Sequence, residues 1–278
     1  MVTNAETTSR FSSKLRNKRV LVVGGTSGIG FAVAQAAVES GAIVTISSSS
    51  EEKIAASIEK LKACTRPDST YSEQQQQHQN ISGHACDLYD LTKLEDNLRS
   101  LFDSATGSGT HKLDHIVYTA GNKVGSIKLS AIDAATITDN GILRFYAPIL
   151  IGKLASAYMA SSHESSITLT SGVNNVKPVE GRVLMAGWGA GVEGVTRALA
   201  VDLRPIRVNC VCPGPTRTAL FDGFPPDVLG PLIERYQSNM LTGVIGSPDD
   251  VAEAYVYCMR DRFVDGAVLH TSGGLLLA

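Results

Sequence analysis

The chain lacks the features that would place it in a membrane, on nucleic acid or outside the cell. No apolar run reaches the roughly 18 residues needed to span a bilayer. Met1 to Arg19 is polar and has no apolar core of the kind a secretory signal carries. A net charge of −2 leaves no basic footprint for nucleic acid. The five cysteines (Cys64, Cys86, Cys210, Cys212 and Cys258) are odd in number, and Cys210-x-Cys212 is not a zinc spacing. Neither a disulfide framework nor a metal site is expected. Aromatic residues make up only 6%, with Trp188 the one tryptophan. What remains is the expectation of a cytoplasmic chain with reduced thiols, binding no nucleic acid, no membrane and no metal.

What is present is a core and a phosphate-binding motif. Apolar residues are 43% of the chain, enough to bury a sizeable core. The apolar run Val20 to Val23 reads as a buried strand, and Phe31 to Ser40 as a helix. Between them lies Gly24-Gly25-Thr26-Ser27-Gly28-Ile29-Gly30. Glycines let backbone approach an anion, and a helix N-terminus offers free N–H groups and a positive dipole end. The order strand, glycine turn, helix predicts a dinucleotide site.

Further strands are expected at Ala42 to Ser47, Ile81 to Cys86, Leu113 to Thr119, Ser166 to Thr170, Ile206 to Val211 and Gly266 to His270. Helical patterns cover Glu51 to Ala63, Leu91 to Ala105, Ile137 to Ala160, Leu184 to Leu203 and Pro248 to Met259. This alternation predicts an α/β fold: one Rossmann-type, doubly wound parallel sheet of about seven strands with helices on both faces. Residues 1–17 read as a flexible tail before a single domain at 18–278. Residues 66–80, rich in glutamine, read as a polar surface insertion. Residues 215–241 read as a long loop and substrate lid. Ligands of such sheets bind beyond the carboxyl ends of the strands.

After the second strand stands Ser47-Ser48-Ser49-Ser50, with no carboxylate before Glu51. An acidic residue here would favour an unphosphorylated ribose. Hydroxyls, with Lys53 near, suit a 2′-phosphate, so NADP(H) is expected over NAD(H). Asp87, after the third strand, suits the adenine amino group.

The order of these pieces resembles the short-chain dehydrogenase/reductase family over about Lys18 to Leu277. The resemblance is carried by Gly24, Gly28 and Gly30, by Asp87, by Ala120-Gly121, by Asn140, and by Thr196 through Asn209. Pro213-Gly214-Pro-Thr216-Arg-Thr218 adds a segment that, by resemblance, wraps the nicotinamide amide and phosphates. The family's catalysis rests on serine, tyrosine and lysine, the tyrosine four before the lysine and acting as proton donor. Aligned back from Val192-Glu193-Gly194, the lysine position falls on Gly189, the tyrosine on Met185, and the serine on Gly172 beside Ser171. The literal Tyr89-x-x-x-Lys93 follows the third strand, on the adenine side, and is rejected as catalytic. The passages Lys112 to Gly121, Arg144 to Pro148 and Glu164 to Gly172 resemble a divergent fungal subgroup without the tyrosine–lysine pair. That subgroup includes reductase/Diels–Alder enzymes of prenylated indole alkaloid biosynthesis.

Hydride transfer needs the nicotinamide and an oriented acceptor. A ketone must also gain a proton; an iminium ion must not. The expectation is therefore an NADP(H)-dependent oxidoreductase reducing an iminium or carbonyl in a small secondary metabolite. A cyclase that keeps the cofactor as scaffold, and a non-catalytic NADP(H)-binding paralogue, stand as alternatives. Arg144 is expected to hold the cofactor or polarise the acceptor, with Asn140 one turn before it facing the same way. Ser171 and Glu180 complete the catalytic candidates, and Trp188, Phe221 and Phe224 are expected to line the substrate pocket, unless Trp188 fills a subunit interface instead. Gly187, Gly189, Gly191 and Gly194 crowd one helix. Such a helix needs close packing, which suits a helix-paired homodimer or homotetramer.

Overall fold

The computed structural model describes residues 10–64, 81–121, 125–218, 221 and 225–278. The insertion expected at 66–80 lies outside them. The chain runs β1 (Arg19–Val23), α1 (Gly28–Glu39), β2 (Ile43–Ser48), α2 (Glu51–Cys64), β3 (Ile81–Ala85), α3 (Leu94–Thr106) and β4 (His115–Tyr118). It continues through α4 (Ala134–Gly141), a π-helical segment (Ile142–Tyr146), α5 (Ala147–Tyr158), β5 (Ser166–Thr170), α6 (Val183–Asp202) and β6 (Arg207–Pro213). Then come α7 (Pro226–Ser238), α8 (Pro248–Arg260) and β7 (Val268–Thr271).

All seven strands join one sheet in the order β3-β2-β1-β4-β5-β6-β7, every pair parallel. Because side chains alternate along a strand, β1 feeds two cores. Val20 and Val22 pack beneath α1, α2 and α8, while Leu21 and Val23 pack beneath α3, α5 and α6. The strand order reverses between β1 and β4, the switch point beside which sheets of this kind bind ligands.

Three expectations change. The tail expected at 1–17 is anchored near its end: Leu15 is fully buried, and Asn17 donates its N–H to the Gly41 carbonyl. The helix expected at Ile137 to Ala160 is three pieces. Asp133 caps its start by accepting from Thr136 N, and the π segment interrupts it. The long loop after β6 contains α7, which Pro225 and Pro226 introduce.

Candidate functional site

The glycine turn sits at the switch point and is held from three sides. Gly24 and Gly25 donate N–H bonds of 2.9 and 3.1 Å to the Ser47 carbonyl. Thr119 Oγ1 donates to the carbonyls of Val23 and Gly24. A Cβ on Gly24 would lie 2.6 Å from Ala120 N, and one on Gly30 would lie 2.2 Å from the Gly24 carbonyl oxygen. Only glycine permits these approaches. Ser27 stands at the N-cap of α1 without its side chain taking the cap bond. The Ser27 side chain thus leaves the first-turn N–H groups for an anion, as such a site requires.

The opposite rim comes from beyond β6. Thr216 Oγ1 donates to Gly214 O, and Gly214 lies so close to Ser272 that a Cβ would meet its Cα at 2.8 Å. The segment then brings the Thr218 side chain against Gly28, 3.2 Å from where a Cβ would stand. Thr218 thus reaches the glycine turn from a segment that Gly214 and Thr216 hold in place.

Beyond β2, the serines differ in use. Ser47 is 1% exposed, so it serves through its carbonyl, not its hydroxyl. Ser48 and Ser49 are the more open pair. Ser50 caps α2 by accepting from Lys53 N. Asp87 is exposed and uses one carboxylate oxygen to accept from Tyr89 N.

The second part of the site is a narrow cleft, partly open to solvent, lined by Arg144, Thr170, Ser171, Gly172, Asn174, Met185, Trp188 and Gly189. Met185 and Gly189, one turn apart on α6, share its wall. Arg144 reaches it from the π segment, with its guanidinium 3.6–3.9 Å from where a Cβ on Gly121 would stand. Burial lowers the affinity of that guanidinium for its proton. Trp188 is a wall of the cleft. It packs on Phe145 with ring centroids 5.0 Å apart, and its ring fills the space a Cβ on Gly141 would need. Among the described residues lining the cleft there is no tyrosine and no lysine.

The other expected site residues separate. Asn140 does not line the cleft; its amide donates to the Thr136 carbonyl one turn back. The π segment begins two residues later, so residues 140 and 144 do not repeat a regular turn. Glu180 is exposed and outside the cleft. Phe221 packs edge-on against Tyr236, and Phe224 lies outside the described residues. Tyr118 is buried and donates to Leu143 O at 2.5 Å, and burial raises its pKa strongly. Tyr89 stands outside the cleft, half exposed.

Sequence reasoning missed one pair. Ser171 Oγ donates at 3.0 Å to Glu193 Oε1, which also accepts from Asn175 Nδ2. Glu193 follows Gly189 by one turn and Met185 by two. That i, i+4, i+8 spacing was the available signal.

A dinucleotide crevice at the switch point, beside a cleft walled by the helix after β5, defines a class. Residues 11–278 match the family of SDR-like Rossmann domains, and the chain belongs to it. It is 41% identical over 270 residues to the short-chain dehydrogenase/reductase malC of Malbranchea aurantiaca, covering 97% of this chain and 98% of that one. The short-chain dehydrogenase/reductase fsr5 of Gibberella fujikuroi is 39% identical over 275 residues, covering 97% and 98%. The solved structure of the MalC reductase/Diels–Alderase superposes with a TM-score of 0.89 at 40% identity, over 97% of this chain and 100% of that one. A short-chain dehydrogenase from Burkholderia cenocepacia, solved in complex with NADP, superposes at 0.77 with 27% identity, over 95% and 100%.

Proposed function

We propose that the protein is an NADP(H)-dependent reductase of a cationic C=N group in a small secondary-metabolite intermediate. The observation that carries this reading is the cleft wall. Where the family presents a proton-donating tyrosine and a lysine, α6 presents Met185 and Gly189, and no other tyrosine or lysine among the described lining residues replaces them.

The residues fit the cofactor. The Gly24–Gly30 turn and the α1 N-terminus receive the pyrophosphate, with Thr216 and Thr218 closing over it. Ser48, Ser49 and Lys53 receive the 2′-phosphate, and Asp87 the adenine. When bound, the nicotinamide supplies hydride. Hydride addition to C=N⁺ yields a neutral amine, so the chain need supply no proton. Ala120, Gly121 and Arg144 hold the nicotinamide end, and Trp188 and Met185 give the acceptor an apolar wall.

The test is NADPH consumption, followed by absorbance, with a panel of cyclic iminium ions and matched ketones. The iminium ions are expected to be consumed at least tenfold faster; preference for ketones overturns the reading. Arg144→Ala is expected to lower turnover at least tenfold with the melting temperature unchanged. An unaltered rate removes Arg144 from the site.

The resemblance to a protein named a reductase/Diels–Alderase supports a second reading, in which the same cleft shapes a cyclisation. Product formation that requires bound NADP(H) but consumes none distinguishes it.

A further inference from the structure

We infer that Glu193, acting through Ser171, sets the cleft's preference for a cation over a neutral carbonyl. This inference rests on the proposed reduction of C=N⁺. Its grounds are the direction of one proton, which Ser171→Ala tests, and the charge that proton points to, which Glu193→Gln tests. A carboxylate accepts hydrogen bonds and donates none, so in the 3.0 Å contact between Ser171 Oγ and Glu193 Oε1 the serine is the donor. A hydroxyl has a single proton and two lone pairs. With its proton committed to Glu193, the Ser171 hydroxyl can offer a ligand of the cleft it lines only lone pairs.

A ketone oxygen also presents only lone pairs, and two acceptors facing each other repel. A C=N⁺ group presents positive charge and, where the nitrogen is unsubstituted, an N–H donor. The same serine that would serve carbonyl reduction as a donor is here turned into an acceptor. The carboxylate has a second effect. Its negative charge stands one hydrogen bond behind a hydroxyl that lines the cleft, and favours a cation there over a neutral group.

Asn175 fixes the arrangement. Its amide nitrogen donates to Glu193 Oε1, and its Oδ1 lies 3.8 Å from Cys212 Sγ. Glu193 is therefore a positioning residue, and its effect is on which substrate binds.

The experiment compares wild type with Glu193→Gln, which keeps an acceptor for Ser171 and Asn175 but removes the charge. Calorimetry, with NADP⁺ present so that nothing turns over, measures binding of 2-methyl-3,4-dihydroisoquinolinium and of its ring-matched ketone, 1-tetralone. Wild type is expected to favour the cation. Glu193→Gln is expected to lower the cation-to-ketone affinity ratio about tenfold, with NADPH affinity and melting temperature held. A purely structural role would weaken both probes together and leave the ratio unchanged. That outcome overturns the inference but leaves the proposed reduction standing if wild type still reduces the iminium. A wild type that favours the ketone, or binds neither probe, overturns both. Should Glu193→Gln fail to fold, Ser171→Ala is measured instead. It removes the facing lone pairs, and an unchanged ratio there also overturns the inference.

Discussion

At the scale of single residues, the site depends on atoms that are absent. Gly30 has its place because a Cβ would stand 2.2 Å from Gly24 O and 2.4 Å from Thr119 Oγ1. Neither is the free end of a flexible chain. Gly30→Ala is expected to force the turn open, costing about 1–3 kcal/mol of stability. Its NADPH affinity should fall more than tenfold in a fluorescence titration. The glycine turn was legible in the sequence because it is local: strand, turn and helix lie between Arg19 and Glu39. Ser171 and Glu193 were not read as a pair because the contact spans 22 residues and needs β5 and α6 already packed. Ser47 was misread for a related reason. Its hydroxyl belongs to a serine run, but strand alternation turns that side chain inward and leaves its carbonyl to do the binding.

At the scale of elements, α6 shows how one residue type can serve opposite ends. A Cβ on Gly191 would meet the Phe145 ring at 2.9 Å, and that ring is itself packed on Trp188. A Cβ on Gly194 would meet nothing within 4 Å. Glycine costs roughly 0.5–1 kcal/mol relative to alanine in a helix interior. Gly194→Ala is therefore expected to raise stability by about that amount, and Gly191→Ala to lower it by about 1–3 kcal/mol. Urea unfolding of the two variants checks both signs. A loss at Gly194 in place of the gain would show that a second copy covers that face, as the expected oligomer requires. Sequence pattern located every strand of the sheet and misjudged the run from Ile137 to Ala160. The apolar period continues through Ile142 to Tyr146, so nothing in it marks the change from α to π hydrogen bonding. The loop expected at 215–241 was misread similarly: Pro225 and Pro226 stand at the start of a helix, because a proline fits the first turn.

At the scale of the whole molecule, the pole opposite the site holds its own polar network. His115 at the start of β4 is 2% exposed and bonds to Ser166 Oγ at 2.9 Å. Nearby, Arg207 is 3% exposed and donates to the carbonyls of His163, Cys258 and Val264. Burial, reinforced by the Arg207 charge, pushes the His115 pKa down to about 3. The unfolded chain takes up this proton near pH 6.5, and the folded chain does not until about pH 3. Between those limits the unfolded state binds more protons, so stability falls as pH falls, by about 1 kcal/mol per pH unit from this group. Urea midpoints measured from pH 7 to pH 4 should show that slope, and His115→Gln should flatten it. The parallel sheet and its two helix-covered faces follow from the β–α alternation visible in the sequence, whereas the order β3-β2-β1-β4-β5-β6-β7 does not. The polar pole was not visible, because His115 and Arg207 come from strands 92 residues apart in number and meet only once the sheet is complete.

The π-helical segment has a bearing on how this site can be inherited. A single extra residue in a helix rotates everything beyond it by about 100° relative to a regular repeat. Here that offset presents Arg144 to the cleft while Phe145 packs on Trp188. Loss of one codon between Ile142 and Tyr146 is expected to restore a regular helix and to turn one side of it, with Arg144, to a new face. In comparing such chains, a gap of one position in this segment thus bears on which side chains line the cleft.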